Sequence, residues 1–264
     1  MILAEAAQRL SAAGIADAER EARLLQRYFP ETAEFDAAVA RRAAREPMSH
    51  ILGVREFWSL EFAVTPAVLD PRPDSETVVE AVLEALPDRA RPYRILDLGT
   101  GTGCLLLALL SELPNATGVG TDASPQALGV ALGNAHRLGL SARAQFAERD
   151  WTEGVEGRYD VIVSNPPYIP TAEIDRLEPE VVRFEPRAAL DGGADGLKAY
   201  RAIIPALGRH LADGGIAALE IGADQGVKVS EIARSAGFET AIRRDLAGRE
   251  RCLILRQGKK TIGQ

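Results

Sequence analysis

The sequence predicts an α/β protein: a doubly wound, mostly parallel sheet closed by an antiparallel strand pair, behind a small amino-terminal helical domain. Three observations carry this. From "YRILDLG" onward, short apolar strand-like runs alternate with helix-like segments. The last two runs, in "GFETAIRRDLAGRERCLILR", are joined by a polar loop containing Gly248. That loop has no room for a crossover helix, so the two strands must pair antiparallel. The first third of the chain is instead rich in Ala, Leu, Glu and Arg, which are strong helix formers.

The elements follow in order. Residues 3–28 read as two helices, with Gly14 and Asp17 as stop and restart. Residues 31–45 read as a third, and Pro47 and Gly53 close the bundle, giving a helical domain over 1–53. "REFWSLEFAV" alternates as a strand pair, a hairpin linker within 54–70. "DPRPDSE" is a rigid joint in which Pro71 and Pro73 fix their own φ, and Asp74 or Ser75 is expected to cap a helix starting near Glu76. The main domain spans 71–264. Its strands are "YRILDLG", "ATGVGTD", "ARAQFAERD", "YDVIVSN" and "IAALEIG", and its helices "GCLLLALLSEL", "PQALGVALGNAHRLG" and "LKAYRAIIPALGRHL".

Composition narrows the classes of function. The chain has 264 residues, 46% hydrophobic and 26% charged, enough for one full domain and a smaller one. No apolar run approaches the roughly 18–20 residues of a membrane span. The start lacks the basic front and cleavage site of a signal peptide. Cys104 and Cys252 are the only cysteines and are not spaced as a metal site or redox pair, so no metal is expected and a cytoplasmic location is. A monomer is expected. Net charge is −7, and the first 90 residues hold 10 basic and 16 acidic side chains. That lowers the expectation of nucleic-acid binding, which calls for a basic face. The densest basic run, "ARRAAR" at 40–45, reads as a solvated helix face.

The strand ends carry the chemistry. "LDLGTGTGCLLLALL" sets a glycine-rich turn, Gly99-Thr100-Gly101-Thr102-Gly103, between a strand and a helix, where a ligand can approach the backbone. A dinucleotide fingerprint would put its third glycine at 104, which is Cys104. The G-x-G-x-G spacing after an aspartate is similar to an S-adenosylmethionine loop. Asp122 ends the next strand and can accept hydrogen bonds from both ribose hydroxyls; the plainer alternative is a helix cap, which Ser124 could supply as well. Asp150 and Trp151 end the third strand. They suit an adenine, one as acceptor for its amino group and one as a flat face, against the alternative of a core tryptophan beside a cap.

Asn165 ends the fourth strand, in "VIVSNPPYIP". Pro166 holds it extended, Pro167 does the same to Pro166, and neither proline has an N–H. The turn therefore offers fixed acceptors: its carbonyls and the Asn165 side-chain oxygen. Two rigid acceptors match one planar –NH2 group, and the Tyr168 ring, rather than its hydroxyl, is expected to stack on the flat group carrying it. An amide or aromatic amine nitrogen is a poor nucleophile because its lone pair is conjugated. Acceptors on both N–H bonds stabilise the charge that develops as it attacks, and aim the lone pair. The alternative is a simple strand-ending turn.

"DLGTGTG" with "NPPYIP" resembles the methyltransferases that act on glutamine or adenine amino groups. "REPMSHILGVREFW", "LDPRPDSE" and "VRFEPRAALDGGADGLKAYRAII" extend the likeness over nearly the whole chain and narrow it to the PrmC (HemK) type, the release factor glutamine methyltransferases. That resemblance implies a class I, Rossmann-like methyltransferase sheet and S-adenosyl-L-methionine as cofactor. It implies as substrate the glutamine of a Gly-Gly-Gln loop in class 1 peptide chain release factors. The run Gly99 to Gly103, Asp122 and Trp151 would hold the cofactor, with Asp150 and Asn165 beside it. Asn165, Pro166, Pro167 and Tyr168 would hold the glutamine, and residues 1–53 would recognise the protein substrate. One position departs from the family's pattern: Asp70 stands where an apolar residue is expected. Rival readings are an adenine amino methyltransferase on DNA, a ribosomal-protein glutamine methyltransferase, and a non-catalytic adaptor of the same fold.

Overall fold

The structure, a computed structural model, describes residues 1–258; residues 259–264, which the sequence assigns to the main domain, lie outside the described residues. α1 (Leu3–Ala12), α2 (Ala18–Tyr28) and α3 (Thr32–Ala43) turn Leu10, Ala22, Leu25, Phe35 and Val39 into a core of their own. Between Pro47 and Gly53 lies a short helix, α4 (Met48–Leu52), that the pattern did not reveal, since five residues are too few to show a period.

The basic run is solvated at Arg41 but not at its other two arginines. Arg42 is 7% exposed and bonds Glu21 at 2.6 Å and Glu180 at 2.8 Å. Arg45 bonds Glu180 at 2.7 Å and Glu178 at 3.1 Å. Glu178 and Glu180 lie more than 130 residues on, so no local pattern could show these partners.

β1 (Val54–Phe57) and β2 (Leu60–Ala63) form the expected hairpin. Trp58 and Ser59 both take positive φ, 54° and 57°, the twist a two-residue turn requires. A 3₁₀ turn (Pro73–Ser75) then runs directly into α5 (Glu76–Ala85). Neither Asp74 nor Ser75 caps α5 as expected. Ser75 already has helical angles, φ −69° and ψ −17°, whereas a capping residue needs extended ones. Asp74 instead pairs with Arg249 at 2.8 Å and Arg251 at 3.2 Å.

The remaining elements are β3 (Arg94–Leu98), α6 (Cys104–Glu112), β4 (Thr117–Asp122), α7 (Pro125–Arg137), β5 (Ala144–Glu148), β6 (Tyr159–Ser164), α8 (Pro179–Phe184), α9 (Lys198–His210), β7 (Leu211–Glu220), α10 (Gly226–Ser235), β8 (Phe238–Arg244) and β9 (Glu250–Gln257). The sheet order is β5-β4-β3-β6-β7-β9-β8. The first five strands are parallel, and β9 runs antiparallel to both β7 and β8. Leu106 and Leu109 of α6 and Val78 and Val82 of α5 belong to one buried cluster; Ile203 and Leu207 of α9 and Val229 of α10 belong to another. Two covered faces explain why the strands read as apolar runs rather than alternating ones. Strand order reverses at β3, and the crevice at such a switch point is where open α/β sheets take ligands. Among the described residues no helix is long and apolar enough to cross a membrane.

Candidate active site

The carboxyl ends of β3, β4 and β6 open on a cavity of about 400 Å³, a normal size for a small-molecule site. Gly99, Thr100, Gly101, Thr102, Asp122, Asp150, Trp151, Asn165 and Pro167 all line it. Leu98 is in register with Ser164, which sets the glycine turn beside Asn165 as the sequence requires.

Within the turn the residues divide. Gly101, φ 55°, has open space where a Cβ would stand, so a ligand can come close. Gly103 does not line the cavity: a Cβ there would lie 3.2 Å from Leu107 and 3.3 Å from Ala131, so its role is to let α6 and α7 approach. Asp122 accepts the Gly101 N–H through Oδ2 at 2.9 Å and the Ser124 N–H through Oδ1 at 2.9 Å. Ser124 is the cap of α7, accepting from the Ala127 N–H at 3.2 Å. Asp122 is thus left to the loop and the cavity.

Asp150 and Trp151 do not end a strand. β5 stops at Glu148, and the two residues sit in the turn that follows, Trp151 at φ 50°. That left-handed angle is rare for a bulky residue. It lays the indole edge 3.2 Å from where a Gly99 side chain would begin.

On the other wall, Asn165 Nδ2 donates to Ser75 Oγ at 3.3 Å, and among the described residues no donor reaches Asn165 Oδ1. Pro166 and Tyr168 are not part of the cavity wall. The Tyr168 hydroxyl, expected to be idle, donates to Glu220 Oε1 at 3.1 Å. Its carbonyl is held by Gln225 Nε2 at 2.9 Å. Burial and the Glu220 charge push its phenol up, so it stays protonated and donating.

Asp97, Ser75 and Asp70 also line the cavity, and Glu220 stands behind it against the Tyr168 hydroxyl. Asp97 lines the cavity, is 1% exposed, and has Oδ1 without a hydrogen-bond partner while Oδ2 accepts from the Thr100 hydroxyl at 2.6 Å. Burial and the Asp122 charge push its carboxyl up to about 7 despite that bond. The signal was present, since Asp97 opens "DLGTGTG". Glu220 and Ser75 carried none: each is named only by its neighbours in space. Asp70, the departure from the family pattern, is buried at 3% and lines the cavity. It accepts from the Ser49 hydroxyl and lies 3.4 Å from His50 Nε2. A carboxylate at an apolar position is thus matched by polar partners from α4. Those partners, with the nearby Arg72 charge, hold Asp70 below the usual carboxylate range against its burial.

A family model described as methyltransferase small domain matches residues 73–183. The release factor glutamine methyltransferase of Rhodospirillum rubrum is 47% identical over 97% of this chain and 84% of its own length. That of Moorella thermoacetica is 46% identical over 96% of each. Among solved structures, the hMettl16 catalytic domain, in complex with MAT2A 3′UTR hairpin 6, aligns with TM-score 0.63 and 18% identity over 86% of this chain and 84% of that one, a likeness of fold alone. A parallel sheet closed by an antiparallel pair, with a glycine turn and an acidic strand end around one cavity, defines a class I S-adenosylmethionine-dependent methyltransferase. The relatives narrow the class. The chain belongs to the release factor glutamine methyltransferase family.

Proposed function

We propose that this chain methylates the side-chain amide nitrogen of the glutamine in the Gly-Gly-Gln loop of class 1 release factors. The observation that carries the reading is Asn165, whose Oδ1 meets no donor among the described residues at the cavity wall while its Nδ2 is engaged by Ser75.

The cavity fits S-adenosylmethionine. The partnerless Asp97 oxygen suits the ammonium of its amino-acid end, and the ion would draw the raised carboxyl back to its charged form. Asp122 would take the ribose, and Trp151 and Asp150 the adenine. When bound, the cofactor supplies an electrophilic methyl on a sulfonium. The protein's part is placement. Asn165 Oδ1 and the carbonyl of Pro166, which is not itself in the cavity wall but stands between the wall residues Asn165 and Pro167, would accept from the two N–H bonds of the glutamine amide, support the charge that grows on nitrogen, and fix its direction. A strong base is unnecessary, because the quaternised amide is very acidic and its proton leaves to water.

Residues 1–53, as the unit that recognises the release factor, belong to the same proposal. Ion pairs from Arg42 and Arg45 tie them to the stretch after β6, which also supplies Pro186, Ala188 and Ala189 to the cavity wall. A protein partner rather than nucleic acid, a monomer and a cytoplasmic location complete it. The test is methyl transfer from labelled S-adenosylmethionine to purified release factor, ribosomal protein and DNA in parallel. Label should enter release factor and vanish when the loop glutamine is replaced; label in DNA or ribosomal protein instead would overturn the reading.

A further inference from the structure

We infer that Gln225, Gly192 and Gly196 are positioning residues: they brace the proline turn from behind and so fix the acceptors that hold the target –NH2. The inference rests on the reading of Asn165 and the Pro166 carbonyl as those acceptors. Pro166 and Pro167 have no N–H. Among the described residues no hydrogen bond reaches the carbonyl of either one. A turn that bonds nothing keeps its carbonyls free for a ligand, and its position must then come from its neighbours.

Those neighbours are two stretches further along the chain. Gln225 stands just before α10, and its Nε2 donates to the Tyr168 carbonyl at 2.9 Å and to the Gly196 carbonyl at 3.3 Å. Its Oε1 accepts the Gly222 N–H at 3.0 Å. Backbone groups cannot exchange donor for acceptor, so this amide has one orientation, with its –NH2 toward the turn. The second stretch is residues 190–196. The Ile169 N–H donates to the Leu190 carbonyl at 3.0 Å, and the Gly192 N–H donates to the Ile169 carbonyl at 2.9 Å. This short parallel bridge lays the stretch along the chain that leaves the turn. The Lys198 N–H, donating to the Gly192 carbonyl at 2.9 Å, ties it to the start of α9.

The backbones meet too closely for side chains between them. A Cβ on Gly192 would lie 2.9 Å from the Pro167 carbonyl oxygen. A Cβ on Gly196 would overlap the Tyr168 carbonyl oxygen and lie 2.6 Å from Gln225 Nε2. The Pro166 carbonyl carbon is bonded to the Pro167 ring nitrogen, so any shift of Pro167 moves the acceptor with it. None of the three brace residues lines the cavity, so their effect on the reaction passes through the turn. Methyl transfer needs the attacking nitrogen in line with the sulfonium methyl, and a misplacement of about 1 Å can cost on the order of 100-fold in rate.

The test is single-turnover methylation of release factor by the full-length protein, with cofactor affinity, half-saturating release factor and thermal unfolding measured alongside. Gln225→Met keeps the length of the side chain and removes its hydrogen bonds. It should slow the reaction about 5- to 10-fold, as expected for one neutral hydrogen bond. Gly192→Ala pushes on Pro167 itself and should slow it on the order of 100-fold. Both should leave cofactor affinity and half-saturating release factor unchanged. Gly237, at φ 87° with open space around it after α10, is the control: Gly237→Ala should lower the melting temperature and keep the rate. Gln225→Met at full rate beside a slow Asn165→Ala would overturn the inference and leave the proposed function standing, and it decides the matter alone if Gly192→Ala does not fold. A rate loss in Gly237→Ala equal to that in Gln225→Met would overturn it too, as the mark of general loosening. An Asn165→Ala protein at full rate would remove the proposed function itself.

Discussion

The Gly101 N–H donates to Asp122 Oδ2 at 2.9 Å, so one carboxylate at the end of β4 holds the glycine turn at the end of β3. The turn is shaped before any ligand arrives. Asp122→Ala should therefore cost twice, in direct contact and in loop order. Cofactor affinity should fall by about 2 kcal/mol or more, since hydrogen bonds to a charged acceptor are among the stronger ones. Calorimetric titration with S-adenosylmethionine checks this; a folded variant with unchanged affinity would take Asp122 out of the site.

Gly99 sits at φ 70° with the Trp151 ring edge on the side where a β-carbon would stand. Gly99→Ala meets both a strained backbone and the indole edge 3.2 Å away. We expect a stability loss of about 1 kcal/mol from the backbone alone. Displacement of Trp151 should also weaken cofactor binding. Thermal unfolding with and without cofactor separates the two effects, and a variant that unfolds and binds like the parent would contradict both.

Asn165→Ala should slow single-turnover methylation on the order of 100- to 1,000-fold, the usual cost of removing one preorganised transition-state partner. Asn165→Asp keeps acceptors of the same shape and should retain partial activity, with cofactor affinity reduced in neither variant. Tyr168→Phe differs. Its hydroxyl serves Glu220, so its removal leaves a buried carboxylate oxygen bare and should cost about 1–3 kcal/mol of stability. Chemical denaturation of the variant measures this.

Arg42 and Arg45 join α3 to Glu178 and Glu180 at the start of α8. Arg42→Ala leaves Glu21 unpaired, at 22% exposure, while Glu180 loses one of its two partners and keeps Arg45 at 2.7 Å. Partial hydration should hold the loss to about 1–2 kcal/mol, below the roughly 3–5 of a fully buried pair. The KM for whole release factor should rise while cofactor affinity stays. Steady-state kinetics on whole factor decides the point, and an unchanged KM would detach residues 1–53 from recognition.

Asp97 and Glu220 are each pushed up to about 7, both chiefly by burial. A carboxyl that holds its proton more tightly folded than unfolded stabilises the fold while protonated. That contribution is whole below about pH 4 and is lost as pH rises through about 7. Stability should thus decline across that window, and Glu220→Gln should flatten the decline and gain at pH 8. The groups facing Glu220 are Tyr168 after β6, Asp74 and Ser75 on the 3₁₀ turn, Cys104 of α6, Tyr200 of α9, and Arg251 and Cys252 of β9. Unfolding profiles from pH 5 to pH 9 on both proteins check it; parallel profiles would assign the titration to Asp97.

The sheet was legible because its strands are buried on both faces and bounded by glycine, aspartate and proline. The places of Asp122 and Asn165 on the cavity wall were legible because such crevices form at strand ends wherever a parallel sheet is predicted. Gly103 looked the same as Gly101 in sequence, and only the packing of α6 on α7 separates them. Ser75 and Glu220 were invisible for a physical reason. A helix-start serine and a strand-end glutamate are ordinary alone, and their meaning arises where β7, the 3₁₀ turn and the proline turn meet. The Arg42 and Arg45 partners were hidden likewise, by more than 130 residues of intervening chain.

The proline turn has no N–H to give, and Asn165 has turned its own toward Ser75. The acceptor wall can therefore tell an amide from a carboxylate of the same outline. Glutamine meets it with two donors, whereas glutamate would bring two more oxygens against lone pairs already in place. At this wall a side chain is told apart by the hydrogens it carries, since its outline is the same in both.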